Sequence, residues 1–174
     1  MLKAGGNTGQ RQGRETEAKP VFPPLRPMAA EAVEEEEISC VSGEGLAFAE
    51  ASFDLSEFAT VRLSGCKFKN CSFYRTSLVK VLIENCSFAG CRFEGGYWQN
   101  VFAEESKFTG CDFNETVFKD TVFRRCLLQY ANLNGSVLRQ GGWGGNPADG
   151  FRIERMQGAG LTAASGGFNR DELL

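Results

Sequence analysis

The sequence contains no histidine, and its 174 residues include only two tryptophans, three tyrosines and five prolines. Because imidazole is the usual general base near neutral pH and a common metal ligand, its absence argues against Ser–His or Cys–His catalysis. Also absent are an apolar run of the roughly 18 residues that a membrane span needs, a signal-peptide pattern and a glycine-rich phosphate-binding motif. The net charge of -3 excludes a strongly basic nucleic-acid-binding protein.

Phenylalanine is abundant instead, with 15 copies, and it recurs at a fixed interval. Steps of five residues from Phe48 to Leu138 visit 19 positions, and all but Ala103 hold a large apolar side chain. The residue two places before each of these is small or β-branched at every unit except the first, which has Leu46. Six of the seven cysteines occupy these small positions, and only Cys40 lies outside them.

A period of five suits neither regular element. It would scatter the phenylalanines around an α-helix and alternate them between the two faces of a strand. A chain that turns a corner every five residues keeps them all inside, and four corners close a square coil of 20 residues. Such coils stack about 4.8 Å apart through backbone hydrogen bonds, so the pattern predicts a solenoid.

The repeats resemble those of the pentapeptide-repeat family, as in residues 66–70 (CKFKN), 71–75 (CSFYR) and 131–135 (ANLNG). The resemblance spans 46–140 and implies an all-β fold, a right-handed quadrilateral β-helix of about 4–5 coils. Inward residues 20 positions apart would then stack in four columns, and Ala103 would leave one column thin.

The flanks differ from the repeat in composition. Residues 1–37, with four prolines and an acidic run, are expected to be a disordered extension in which 28–37 could form a cap helix. Met28 is an alternative start of the chain. The β-helix is expected over 38–140, and 141–174 is expected to be a poorly ordered glycine-rich tail or a degenerate last coil.

Four cysteines have a spacing that a zinc site could use: Cys66, Cys71, Cys86 and Cys91. All four are in register with the repeat, however, so we expect free thiols that pack as small apolar groups. Outward carboxylates such as Glu84 and Glu104 are expected to lie on solvated faces. We therefore expect no catalytic residue, no metal and no cofactor. The odd cysteine count without a secretion signal predicts a cytoplasmic protein.

Two adjacent outer faces carry apolar residues where solvated ones would be expected. This apolar strip consists of Leu82, Tyr97, Phe102, Val117, Val122 and Val137. A contiguous exposed strip often marks an interface, which favours a protein partner or self-association, with a homodimer possible. Two alternatives remain open: a flank could cover the strip, or the residues could reflect strand propensity alone.

These observations predict a non-catalytic protein–protein interaction or scaffold module that contacts neither nucleic acid nor membrane directly. The resemblance implies a bacterial origin and an alternative function, a DNA-mimicking binder of type II topoisomerase that protects against quinolones. A mimic needs a strongly negative surface, whereas residues 46–140 contain 11 Lys and Arg against ten Asp and Glu, a net of +1. The repeat also lacks the loop insertions of the quinolone-protecting members.

Overall fold

The computed structural model describes residues 19–28, 37–139 and 162–164, and these form strands and turns without a helix. The strands pair in parallel into a solenoid of about four turns, which confirms the predicted fold class. In chain order they are β1 Arg26–Pro27, β2 Glu37–Glu44, β3 Ala47–Ala49, β4 Glu57–Ser64, β5 Lys67–Lys69, β6 Ser77–Glu84, β7 Ser87–Ala89, β8 Tyr97–Glu104, β9 Lys107–Thr109, β10 Val117–Lys119, β11 Val122–Arg124, β12 Val137–Arg139 and β13 Thr162–Ala164.

Each coil has four sides, and each side pairs with residues 20 positions away. Strands β3, β5, β7 and β9 form the first side. Single bridges that join Ser52, Ser72, Arg92, Asp112 and Asn132 form the second. The eight-residue strands β4, β6 and β8 supply the third side with their first halves and the fourth with their second halves. In the next coil β10 and β11 take these two sides separately.

A residue with positive φ turns the corner between the third and fourth sides. Thr60, Lys80 and Asn100 occupy this corner with φ values of 60°, 55° and 53°. L-amino acids adopt this left-handed conformation at a cost, so the corner depends on the stacked coils above and below it. Side chains along a strand alternate between inward and outward, and a corner every five residues reverses this alternation. Each phenylalanine of the five-residue series therefore faces the interior.

Stacked rings fill the core. In one column the ring centroids of Phe68 and Phe88 are 4.7 Å apart, and those of Phe88 and Phe108 are 4.9 Å apart. The rings of neighbouring columns meet edge to face, as Phe88 and Phe93 do at 5.7 Å. Both geometries suit the aromatic quadrupole, so the rings make favourable contacts along each column and between neighbouring columns.

The thin position at Ala103 is compensated by its neighbour in the same coil. Trp98 is fully buried, and its ring stacks on Phe123, the residue above Ala103, at 5.8 Å and an interplanar angle of 19°. The largest side chain of the core thus lies next to one of the smallest.

The solenoid begins two coil sides earlier than the repeat signature from Leu46 suggests. Strand β2 pairs in register with β4 and buries Ile38 and Val41. The next inward position is Gly43, which has no side chain to fill the coil. Met28 from the N-terminal flank is 6% exposed and takes that space, with its Sδ 3.5 Å from where a Cβ on Gly43 would lie. Met28 therefore plugs the open end of the core.

The flanks are described only in part. Residues 19–28, which we call the N-terminal arm, run extended along the solenoid, whereas the sequence predicts disorder for this segment. The predicted cap helix over 28–37 falls mostly on residues 29–36, which lie outside the described residues. In the C-terminal flank, β13 continues the stack by pairing with β12, and the other residues of 140–174 lie outside the description.

Candidate interaction surface

The structure places the apolar strip on the third and fourth sides, as two adjacent columns. On the third side Tyr97 pairs with Val117, and Val117 pairs with Val137. Tyr97 is 38% exposed, and the two valines are half-buried. This column is the open half of the strip.

The column on the fourth side is buried. Leu82, Phe102 and Val122 are in register and only 3–6% exposed. Phe22, from the N-terminal arm, packs against the cluster that these three residues form. We call this column the covered half. Among the alternatives that the sequence leaves open, it matches the one in which a flank covers the strip.

From Phe22 to Met28, every third side chain of the arm is half-buried or buried. Phe22 and Leu25 are half-buried and Met28 is buried, whereas Val21 and both residues between Phe22 and Leu25 are exposed. A period of three is that of a polyproline II helix, which proline favours. The prolines of the arm thus match the way it presents its apolar side chains.

Backbone pairing holds the arm only near its end. Strand β1 pairs with β2 through Arg26 and Pro27, and the N–H of Met28 donates to the carbonyl oxygen of Ser42 at 2.8 Å. Proline has no N–H to donate, so side-chain contacts position the earlier part of the arm.

Lys19 inserts between two carboxylates beside the covered half. Its Nζ donates to Glu84 Oε1 at 2.8 Å and forms an ion pair with Glu104 on the next coil. Arg62 Nη2 lies 2.9 Å from the second oxygen of Glu84, and Arg125 forms an ion pair with Glu104. Glu104 is 7% exposed, which corrects the expectation that its carboxylate lies on a solvated face.

The pairing shifts two pKa values. Partial burial acts to raise the pKa of Glu84, but hydrogen bonds from Lys19 and Arg62 outweigh it and hold that pKa below its ordinary value. Hydrogen bonds to Glu104 and Glu84 raise the pKa of Lys19. Both groups therefore stay charged at neutral pH, and the carboxylate pair is a ready binding site for one cationic group.

The cysteines of the repeat line the core wall. All seven thiols of the chain are free, as predicted, and the six in the repeat are buried. Their S–H groups point at backbone carbonyl oxygens, as in Cys91 to Phe68 at 3.5 Å and Cys126 to Ala103 at 3.4 Å. Burial raises the pKa of Cys126 to about 12. With so high a pKa, the Cys126 thiol is a poor nucleophile.

The described residues contain neither a cluster of metal ligands nor a membrane-spanning helix. Within 19–28, 37–139 and 162–164, no three His, Cys, Asp or Glu side chains come together as metal ligands would. Across the same ranges no helix has the length and apolar character of a membrane span.

Sequence reasoning missed the part that the arm plays in this surface. The composition of residues 1–37 instead predicts a disordered extension that includes Lys19 and Phe22. A signal was present, because Lys19, Phe22, Leu25 and Met28 recur at steps of three among four prolines. This three-residue spacing differs from the five-residue period of the repeat and is not part of that signature.

Comparisons with known proteins agree with this geometry. A model of pentapeptide repeats matches residues 56–95, 86–125 and 104–140, in eight copies. No curated protein sequence is significantly similar to the chain.

Several solved structures are similar to the chain at low identity. A pentapeptide repeat protein, Rfr23, from the cyanobacterium Cyanothece 51142 is 12% identical, with a TM-score of 0.44 over 76% of this chain and 95% of that one. QnrB1, a plasmid-mediated fluoroquinolone resistance protein, is 17% identical, with a TM-score of 0.42 over 57% of this chain and 55% of that one. A pentapeptide repeat protein from the Arabidopsis thaliana thylakoid lumen is 14% identical, with a TM-score of 0.33 over 64% and 71%. The eight matched copies, together with the four-sided parallel solenoid, make this chain a member of the pentapeptide-repeat family.

Proposed function

We propose that this pentapeptide-repeat protein is a non-catalytic module that binds a protein partner, or a second copy of itself, through the open half of its apolar strip. The observation that carries the proposal is the column Tyr97, Val117 and Val137, an apolar row on the third side that the described part of the arm leaves uncovered. Exposed apolar rows of this kind are typical of interfaces.

The packing of the core supports a role for the outer sides. The inward positions of the described coils hold buried rings, leucines and small residues, and the columns stack at about van der Waals distance, as Phe73 and Phe93 do at 4.8 Å. Binding sites for small substrates are concave. A rod with a filled interior is better suited to contacts along its flat outer sides.

The charge arrangement favours this proposal over DNA mimicry. A mimic must present unneutralised carboxylates. Glu84 is paired with Arg62 and Lys19, Glu94 with Arg92, and Glu104 with Arg125. The carboxylates of these three residues are therefore largely neutralised by cations of the same chain.

Adding charge to the open half tests the proposal. The variant Tyr97→Glu/Val117→Glu adds two negative charges to the third side. The matched control, Ser87→Glu/Leu127→Glu, adds the same charge to the outward column of the first side, where both residues are half-buried. Light scattering gives the absolute mass of each full chain, and quantitative affinity capture compares the proteins that each retains.

A dimer in the wild type that becomes a monomer only in the third-side variant would identify self-association. A monomeric wild type whose captured proteins are lost only from the third-side variant would identify an outside partner. If mass and captured proteins are the same in both variants and the wild type, the open half is not an interface.

A further inference from the structure

The fourth side of the solenoid already binds an extended peptide, its own N-terminal arm. The surface beneath the arm, which we call the groove, combines an apolar floor, made of Leu82, Phe102 and Val122, with the carboxylates of Glu84 and Glu104. The floor receives Phe22, and the carboxylates receive Lys19, three residues earlier. Each feature of the groove thus has a matching feature in the arm.

Cationic groups frame the aromatic contacts. The Nζ of Lys80 lies 5.9 Å from the ring centroid of Phe22, and the guanidinium carbon of Arg124 lies 4.7 Å from that of Phe102. Proline-rich segments in the polyproline II conformation dock on aromatic-lined surfaces, and Phe102 belongs to the cluster on which Phe22 packs.

We propose that the fourth side is a docking groove for a proline-rich partner segment that carries lysine followed, three residues later, by a large apolar side chain. The N-terminal arm is its resident occupant and is displaced when such a partner binds. This assignment rests on the proposed protein-binding role and names the chemistry of the partner.

The contacts of the arm explain why its first part can be exchanged. The side chain of Lys19 is 43% exposed, and Val21 is 84% exposed. The pairing with β2 begins only at Arg26, and Met28 is plugged into the core. A partner can therefore replace residues 19–25 while Met28 keeps the end of the solenoid closed.

Competition between the arm and an added peptide tests the proposal on the full chain. The variant Lys19→Ser/Phe22→Ser weakens the resident arm, and Val21→Ser is the matched control because this side chain is exposed. The probe is an acetylated, fluorescein-labelled peptide with the sequence of residues 18–27, followed by fluorescence anisotropy. A tethered arm competes at about millimolar effective concentration. We therefore expect the double variant to bind the probe at least about tenfold more tightly than the wild type or Val21→Ser.

Two altered probes keep the test specific without changing the protein. Peptides in which the lysine is replaced by glutamate, or the phenylalanine by serine, should each bind the double variant several times more weakly. Equal binding of the probe to all three chains, or equal binding of all three peptides, would overturn the groove assignment.

Light scattering on the same samples tests whether the groove is occupied by the arm of a second copy instead. If the wild type is a dimer and the double variant a monomer, the groove holds the arm of a second copy, and the proposal of an outside partner segment is wrong. If the probe fails to bind while Tyr97→Glu/Val117→Glu still abolishes partner capture, the groove assignment fails and the proposed function stands.

Discussion

Shortening Met28 should destabilise the solenoid, and the loss should depend on residue 43. Met28 is buried against the coil end that Gly43 leaves empty. Met→Ala substitutions in cores cost about 2–5 kcal/mol in the free energy of unfolding. We expect about 2 kcal/mol for Met28→Ala, the lower end, because neighbours at the end of a rod can relax into the space.

Gly43→Ala alone should crowd the same site. An added Cβ would lie 3.1 Å from the terminal methyls of Leu46 and Leu63 and 3.5 Å from Met28 Sδ. Because these are flexible side-chain tips, we expect a loss of about 1 kcal/mol, the mild end of overpacking. With Met28 shortened, the leucines have room to move, and the added methyl partly fills the cavity. The double variant should therefore lose about 2 kcal/mol, not the sum of the two single losses.

Urea unfolding of the full chain, followed by circular dichroism and by intrinsic fluorescence, measures these energies. Coincident transitions from the two probes are the check that a single free energy of unfolding describes each variant. If the two substitutions add to within about 0.5 kcal/mol, Met28 and Gly43 do not share a cavity, and the account of the core plug is refuted.

Three further predictions follow from the core, the thiols and the ion pairs. Phe88→Ala should cost about 3–5 kcal/mol and Phe48→Ala clearly less, because Phe88 stacks on rings on both sides and half-buried Phe48 on one; equal losses in urea unfolding would contradict the stacking argument. In a thiol assay with Ellman's reagent, Cys40 alone should react in the native chain, and the six buried thiols should react only after unfolding; several fast thiols in the native chain would contradict their burial. The lowered pKa of Glu84 means that its pairing with Lys19 stabilises the fold above the ordinary carboxyl pKa of about 4.3 and is lost as pH falls through the lower folded value. The difference in urea midpoint between wild type and Lys19→Ala should accordingly be present at pH 7 and vanish in acid, and a difference that is constant with pH would refute the pairing.

The repeat itself was predictable because its information is local. Each corner, each small inward residue and each phenylalanine appears within five residues, and the pattern is then copied along the chain. The buried cysteines and the two columns of the strip follow from the same register. The repeat signature itself begins only at Leu46, because Gly43 interrupts the series of large residues and conceals the inward position of Ile38.

The sequence by itself determined the solenoid, its period and the residues that face in and out, since neighbouring coils interact through a spacing that the chain repeats. Only the tertiary structure decided which outward residues are covered. Phe22 and Lys19 contact residues some 60 to 100 positions away. The three-residue spacing of the arm occurs in one segment of the chain and does not indicate which side of the solenoid that segment binds. That choice depends on an apolar floor and two carboxylates that come together only when three coils have stacked.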